Sequence, residues 1–254
     1  MATDERATGQ YWLTSKDKRE APERYQTDVE ELCETYRSSL QLAEAGTHVI
    51  STDEKTSMQA IERLHETKPV RPGLVERVEF EYIRHGTMCL IANFDVVTGR
   101  VVCPSIGPTR TEADFVAHIE RTIESDPKAG WIFVADQLNT HLSATLVELV
   151  ARRCGIEDDL GVKGKKGILE SKKTRKKFLE DSSHRIRFVY TPRHCSWLNQ
   201  VEIWFSILAR RFLNRSSFTS LEDLRIRTLA FIEYFNKVLS KPFRWTYTGR
   251  ALQV

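Results

Sequence analysis

The sequence has 254 residues, with 38 Lys or Arg against 35 Asp or Glu, so its formal net charge is only +3. A hydrophobic fraction of 41% with 29% charged residues is typical of a globular protein and excludes wholesale disorder. No apolar run approaches the roughly 20 residues that a membrane-spanning helix needs, and residues 1–20 lack the apolar segment of a signal peptide.

The five cysteines are scattered and none forms a C-x-x-C pair. This pattern argues against both a disulfide framework and a thiolate zinc site. We therefore expect a reduced protein of the cytoplasm.

In chain order, the sequence predicts a polar leader or linker over residues 1–25 and one domain over residues 26–254. Apolar residues at helical spacing predict a helix over Thr27–Gly46. The apolar run His48–Ser51 predicts a strand that ends at the acidic residues beginning with Asp53. The polar stretch up to Pro72 is expected to be a loop with room for one short helix. Three strands of a β-meander are then predicted at Val78–Ile83, Met88–Phe94 and Arg100–Pro104.

The second half of the chain combines helices with strands that are apolar throughout. Trp131–Ala135 has the composition of a strand buried on both faces, and it ends directly in Asp136. The other predicted elements are helix Thr111–Ile123, helix Ser143–Arg153, strand Arg187–Tyr190, helix Trp197–Asn214 and helix Leu221–Leu239. This order predicts an α/β fold, with a mixed sheet and flanking helices.

Three carboxylates stand out because of their positions. Asp53 and Asp136 each close a predicted strand, and Glu202 lies in the first turns of a predicted helix, beside its apolar stripe. If the two strands are neighbours, the two aspartates meet at one edge of the sheet. Each acid alone has an ordinary explanation, since aspartates form turns and caps and a helical glutamate is usually solvated.

Oxygen ligands from three acids suit Mg²⁺, or Mn²⁺ as a substitute. Two such ions would activate an attacking oxygen and stabilise the leaving oxygen of a phosphodiester. The sequence therefore predicts a two-metal site at Asp53, Asp136 and Glu202.

Three segments around these acids closely resemble the acidic motifs of one transposase family. The segments are Thr52–Lys55 with Gln59–Ala60, Asp136–His141 and Ser196–Phe205. The family is the bacterial insertion-sequence transposases of the DDE superfamily, which are relatives of the mariner group. The resemblance extends from about Tyr25 to Gly249.

The resemblance implies a ribonuclease H-like catalytic domain in which Asp53, Asp136 and Glu202 are the metal-binding catalytic triad. Asn139 and His141 match the motif around the second acid, so both active-site support and a purely structural role remain open for them. Glu54 is a weaker ligand candidate, because adjacent residues of a strand point to opposite faces. The resemblance also implies a homodimer, cut-and-paste movement of DNA and insertion at TA dinucleotides.

Two features depart from the family pattern. The second and third acids are 66 residues apart, which is longer than usual, and the excess is predicted to be a basic insertion at about residues 155–185. The family's N-terminal helix-turn-helix domains have no counterpart before Asp53. We therefore expect the catalytic half of a transposase, which works alone or with a separately encoded DNA-binding subunit.

The basic insertion is the strongest local charge feature. Between Val162 and Arg187 there are ten basic residues against three acidic ones. A solvated surface and a polyanion-binding surface are both compatible with such a block, and Ile168 and Leu169 could instead dock it on a partner subunit. The predicted DNA contacts are Lys163, Lys165, Lys166, Lys172, Lys173, Arg175, Lys176 and Lys177.

Three other functions remain as alternatives. A ribonuclease H-like nuclease with D-x-E on its first strand is disfavoured because Asp53 and Glu54 are adjacent. A catalytically silent fragment that binds DNA or a transposase would fit the missing end-reading domain. A Cys–His nucleophile at His194 and Cys195 is the weakest alternative, because sequence neighbours rarely face each other and no orienting acid is evident.

Overall fold

The computed structural model describes residues 16–65 and 68–249. The α-helices in this part of the chain are α1 (Lys16–Glu20), α2 (Pro22–Arg37), α3 (Ser39–Glu44), α4 (Glu112–Ser125), α5 (Ala144–Cys154), α6 (Lys172–Leu179), α7 (Gln200–Arg211) and α8 (Leu221–Tyr234). The strands are β1 (Thr47–Arg63), β2 (Tyr82–Asp95), β3 (Val101–Gly107), β4 (Gly130–Ala135) and β5 (Ile186–Tyr190). None of these helices is long and apolar enough to cross a membrane.

The five strands form one mixed sheet in the order β3-β2-β1-β4-β5. β1 pairs antiparallel with β2 and parallel with β4, and β4 pairs parallel with β5. Buried residues on one face pack against α4, α5 and α6, while the other face is covered by α2, α7 and α8. The predicted mixed sheet with flanking helices is therefore confirmed.

The first strand is longer than the sequence predicted. β1 does not end at the acidic residues but continues to Arg63, so the predicted loop up to Pro72 is wrong over its first half. The extension is difficult to recognise in the sequence because its pairing is irregular. The register with β2 shifts twice between Lys55 and Ile61, and Ser57 has a positive φ of 55°. Such bulges break the alternation of apolar and polar residues by which a strand is recognised.

Two predicted strands of the meander are one. β2 runs without interruption from Tyr82 to Asp95, whereas residues 78–80 form no strand. The alternating pattern of Val78–Ile83 arises in an exposed segment, where Val78 is 50% and Phe80 is 81% exposed. Alternation therefore does not mark burial there.

The helices agree with the sequence more closely than the strands do. Thr111 and Ser143 are the N-caps of α4 and α5, and the side chain of each accepts a hydrogen bond from the backbone of the following turn. α2 begins at Pro22, inside the predicted leader, and proline is favoured in the first turn. Residues 1–15 of that leader lie outside the described part of the chain.

Candidate active site

Asp53 and Asp136 occupy equivalent positions on neighbouring parallel strands. The register pairs Ser51 of β1 with Val134 of β4, and two residues further along each chain come Asp53 and Asp136. Adjacent strands lie about 4.8 Å apart. The predicted meeting of the two aspartates at one edge of the sheet is thus the arrangement that the structure contains, although Asp53 lies within its strand and not at its end.

Asp53 is a buried carboxylate with few compensating contacts. It is 8% exposed, accepts a hydrogen bond from the Glu54 backbone N–H at 2.8 Å and one from Asn199 Nδ2 at 3.2 Å. Burial, followed by the charge of Asp136, raises the pKa of Asp53 to about 7. Repulsion between the two carboxylates is the expected result of placing them side by side without a cation.

Asn199 connects the strand that carries Asp53 to the helix that carries Glu202. Its Nδ2 donates to the Thr52 carbonyl at 3.1 Å as well as to Asp53, and its Oδ1 accepts from the Ser51 hydroxyl. The Val201 backbone N–H in turn donates to Ser51 Oγ at 2.8 Å. The fully buried amide therefore fixes the start of α7 against β1.

Glu202 lies in the first turn of α7 and is partly exposed. Burial raises its pKa, Lys55 opposes this shift, and the charge of Asp136 adds to it. Asp136 is thus within electrostatic reach of both Asp53 and Glu202.

His141 bridges two carboxylates from opposite sides of its ring. Nδ1 donates to Asp136 Oδ1 at 2.7 Å and Nε2 donates to Glu54 Oε1 at 3.1 Å. Burial alone would lower the pKa of His141, but the two carboxylates outweigh it and raise the pKa to about 10. Burial opposes ionisation of Asp136, yet its contacts with this imidazolium hold its pKa below the usual value.

The sequence predicts that Glu54 points away from Asp53 and is the weaker ligand candidate, and its contacts agree with that orientation. Its side chain is 1% exposed and contacts His141, whose ring packs at an angle of 36° against Phe115 of α4, with ring centroids 4.2 Å apart. An acid directly after a catalytic candidate is the sequence signal that could have identified it. Its carboxylate belongs to the support of Asp136, which weakens the D-x-E nuclease alternative further.

Asn139 is the predicted supporting residue that the structure does not bring into the cluster. It is exposed at the start of the turn Thr140–Leu142. Its backbone carbonyl accepts from the Leu142 N–H at 3.3 Å, and none of the described hydrogen bonds involves its side chain. Of the two residues in this motif, only His141 touches a catalytic candidate.

The carboxylates of the site are chemically suited to a divalent cation, although their side chains do not converge around a single point. Within the two described ranges, no three His, Cys, Asp or Glu side chains converge closely enough to hold a metal ion. Asp53 and Asp136 nevertheless supply oxygen ligands of the kind that Mg²⁺ and Mn²⁺ bind, and their mutual repulsion would be relieved by a cation. The site is therefore an adjacent pair of aspartates with Glu202 in electrostatic reach.

The predicted DNA-binding residues divide into two groups. Six are exposed, namely Lys163, Lys165, Lys166, Lys172, Lys173 and Lys177. Arg175 instead donates to two backbone carbonyls, and Lys176 is 14% exposed beside Glu180 at 3.3 Å. Arg175 and Lys176 thus make their polar contacts within the protein.

The basic insertion is anchored in the protein's own core. Leu169, Phe178 and Leu179 are buried in the cluster with α4 and α5, and Ile168 packs against it. A tight turn precedes them, where a Cβ on Gly161 would come within 2.2 Å of the Lys166 carbonyl oxygen. The alternative that Ile168 and Leu169 dock this segment on a partner is therefore wrong.

An open groove of about 400 Å³ begins at Asp136. Its walls include Lys172 of the basic insertion, and Arg193 and His194 of the loop after β5. Arg193 also lines an adjoining cavity of about 200 Å³ with Arg24 of α2. Cationic side chains therefore line the groove that leads to Asp136.

Cys195 is not placed to act as a nucleophile. It is 3% exposed, and its Sγ lies 3.2 Å from the Tyr25 hydroxyl within the cluster around α2. His194 is exposed, with a positive φ of 61° that turns the chain at this point. The two neighbours thus have different surroundings, as the sequence suggested.

Comparison with known protein families gives one match for this chain. The profile of the family described as DDE superfamily endonuclease matches residues 48–225, and no curated protein matches the sequence significantly. The match covers all three acids and the basic insertion.

Among solved structures, the chain is similar to the Mos1 mariner paired-end complex with Mn, with a TM-score of 0.51 and 13% identity over 89% of this chain and 60% of that one. The Mos1 strand transfer complex matches with a TM-score of 0.51 and 12% identity, covering 97% of this chain and 68% of that one. The Mos1 catalytic domain matches with a TM-score of 0.50 and 11% identity, covering 89% of this chain and 85% of that one. The chain thus spans about 60% of the length of the first of these. The likeness confirms the predicted ribonuclease H-like fold.

Proposed function

The chain belongs to the DDE superfamily endonucleases, and on this premise we propose that it is the catalytic domain of a transposase. It cleaves DNA at the ends of a bacterial insertion sequence and transfers the freed strand to a target. The observation that carries this proposal is the side-by-side placement of Asp53 and Asp136 on parallel neighbours, with Glu202 on the helix that Asn199 fixes to the same strand.

Asp53, Asp136 and Glu202 are the residues that would hold the metal. Two Mg²⁺ ions, or Mn²⁺ in their place, would activate the attacking oxygen and stabilise the leaving oxygen of the phosphodiester. Burial and then the charge of Asp136 raise the pKa of Asp53. The repulsive part of this shift supports the assignment, because a cation between the two carboxylates would remove it.

The neighbouring residues keep these ligands in place. His141 donates to one oxygen of Asp136 and, through its other nitrogen, is itself oriented by Glu54. Such outer hydrogen bonds orient carboxylate ligands and maintain their charge. Asn199 does the same for Asp53, since it donates to Oδ2 while the Glu54 backbone N–H donates to Oδ1.

DNA would approach along the cationic groove that ends at Asp136. Lys172 and Arg193 line that groove, and the exposed lysines of the insertion extend the positive surface beyond it. Phosphate contacts of this kind position a duplex without reading its sequence. We therefore assign end recognition to other parts of the system, such as a separately encoded DNA-binding subunit.

The homodimer and the cytoplasmic location at the nucleoid follow from the same proposal. Cut-and-paste transposition requires two DNA ends to be held together, and two copies of the chain would supply one active site for each. Insertion at TA dinucleotides is expected from the family resemblance.

The proposal is tested by nicking of supercoiled plasmid in Mg²⁺ or Mn²⁺. We expect the wild-type chain to nick only with metal, and Asp136→Asn and Glu202→Gln to be inactive while still folded. Equal nicking by all three proteins would contradict the proposal. Absence of nicking by a folded wild-type chain that binds DNA would favour the silent DNA-binding alternative.

A further inference from the structure

Helix α6 of the basic insertion has two faces with different roles. Lys172, Lys173 and Lys177 are exposed, whereas Phe178 and Leu179 are buried in the cluster beneath the active-site turn. The helix is thus fixed to the protein by one side and presents cations on the other. Arg175 lies on the inward side, although the sequence groups it with the DNA-binding residues.

The guanidinium of Arg175 connects the insertion to the turn that carries His141. Nε donates to the Leu142 carbonyl at 2.7 Å, and Nη1 donates to the Leu169 carbonyl at 2.9 Å. Leu142 is the last residue of the turn Thr140–Leu142, and Leu169 is buried at the base of the insertion. One planar side chain therefore joins two segments that are distant in sequence.

A second side chain holds the same turn one carbonyl earlier. The Tyr190 hydroxyl, at the end of β5, donates to the His141 carbonyl at 2.7 Å. Tyr190 is itself buried, and the Lys176 ammonium lies 5.8 Å from the centre of its ring. Two consecutive backbone carbonyls of the turn are thus fixed, one by the insertion and one by the end of β5.

Fixing this backbone fixes the imidazole that Asp136 depends on. The imidazole of His141 contacts Asp136 at 2.7 Å and Glu54 at 3.1 Å. It can keep both contacts only if the main chain of His141 stays in place. We propose that Arg175 is a positioning residue, which holds the His141 turn so that Asp136 keeps the orientation needed for metal binding and cleavage. The inference rests on the proposed function, because it assigns Asp136 as a ligand.

The chemistry of arginine suits this role. Its guanidinium presents several N–H groups in a rigid plane, so it can donate to two carbonyls at once, whereas the single ammonium of lysine is a flexible point charge. A contact with a DNA phosphate depends mainly on positive charge, which lysine also supplies. Arg175→Lys therefore separates the two roles, since it keeps the charge and loses the double contact.

The test compares Arg175→Lys and Arg175→Met with a matched control, Arg185→Met. Arg185 also donates to two backbone carbonyls, those of Ala129 and Arg153, but it lies at the opposite end of β4 and β5 from Asp136. Tyr190→Phe is a milder variant, which removes only the hydroxyl that donates to His141. Equilibrium Mn²⁺ binding by electron paramagnetic resonance, DNA affinity and the nicking rate are measured for each folded protein.

We expect Arg175→Met to lose roughly 10- to 100-fold in Mn²⁺ affinity or in kcat, the range seen when residues that orient metal ligands are removed. Arg175→Lys should recover only part of this loss, and Tyr190→Phe should show a smaller loss of the same kind. DNA affinity and KM should stay at their wild-type values. Arg185→Met should match the wild type in Mn²⁺ affinity even where its stability falls.

Two results would overturn the inference. Weaker DNA binding with unchanged Mn²⁺ affinity in Arg175→Met, fully restored in Arg175→Lys, would make Arg175 a phosphate contact. Equal effects of Arg175→Met and Arg185→Met on both Mn²⁺ affinity and kcat would show that Arg175 has no specific role at the metal site. If the wild type binds Mn²⁺ but never nicks, the proposed function fails, while the comparison of Mn²⁺ affinities still decides the role of Arg175.

Discussion

At the scale of single residues, Asn199 and Asn139 have opposite surroundings within the same predicted active site. Asn199 is fully buried and bonded to Ser51, Thr52 and Asp53, whereas Asn139 is exposed. Asn199→Ala leaves buried partners unsatisfied, so we expect the free energy of unfolding to fall by about 1–3 kcal/mol.

Asn139→Ala is the matched control for Asn199→Ala, and it should change that free energy by less than about 0.5 kcal/mol. Urea titrations of both variants measure the difference. Equal stability losses would show that Asn199 does not connect α7 to β1 in the way described.

The raised pKa of Asp53 gives a pH prediction with a definite sign. Burial and the charge of Asp136 raise the pKa of folded Asp53 to about 7, whereas an unfolded aspartate has a pKa near 4. The folded state therefore keeps this proton to higher pH, and the stability of the metal-free protein falls as the pH rises from about 4 to about 7. Asp53→Asn removes this dependence.

At pH 8 in EDTA, we expect the free energy of unfolding of Asp53→Asn to exceed that of the wild type by about 2–4 kcal/mol. The decline toward pH 10, which comes from the raised pKa of His141, should remain in both proteins. Denaturant titrations between pH 4 and pH 10 measure these slopes. A wild-type curve parallel to that of Asp53→Asn between pH 4 and pH 7 would refute the account of Asp53.

At the scale of elements, the outward face of α6 is the part of the insertion that we expect to contact DNA. Replacing Lys172, Lys173 and Lys177 with Gln should weaken DNA binding. It should also make the slope of log affinity against log salt less negative by about 2–3. If the whole surface makes about five phosphate contacts, the wild-type slope is roughly −4 to −5.

The control for this triple variant replaces three exposed lysines outside the insertion, Lys128, Lys237 and Lys241. It removes the same charge, so it separates local contacts from the effect of net charge. Fluorescence anisotropy with duplex DNA at several salt concentrations measures both variants. Equal changes in slope would show that the insertion has no special role in binding.

The inward side of the insertion makes a prediction about stability. Leu169 is 6% exposed and lies in the cluster with α4 and α5. Leu169→Ala should lower the free energy of unfolding by about 2–4 kcal/mol, because it leaves a cavity in the core. Chemical denaturation measures this loss, and a loss that depends on protein concentration would instead place Leu169 at an interface between subunits.

How far the sequence predicts each element depends on how regular the element is. The capped helices α4 and α5 match their sequence boundaries within two residues, because caps and helical spacing are local signals. The sequence does not predict the bulged half of β1 or the full length of β2, because both depend on pairing between segments that are far apart in the sequence.

At the scale of the whole molecule, the sequence located the three acids, but it could not show how they are supported. The proximity of Asp53 and Asp136 could be predicted because an aspartate follows each of two apolar strand segments, and this pattern is visible in the sequence alone. The bridge from Glu54 through His141 to Asp136 joins residues that are 87 and 5 positions apart. Such contacts follow from the packing of the folded chain, and so does the inward position of Arg175.

The central claim is that Asp136 binds the metal that acts on DNA, and a change of ligand chemistry tests it most directly. Thiolates are poor ligands for Mg²⁺, while softer ions tolerate sulfur better. We predict that Asp136→Cys nicks supercoiled plasmid in Mn²⁺ but not in Mg²⁺, whereas the wild-type chain is active in both. Equal activity of Asp136→Cys in the two metals, or equal inactivity despite unchanged Mn²⁺ binding, would contradict the account.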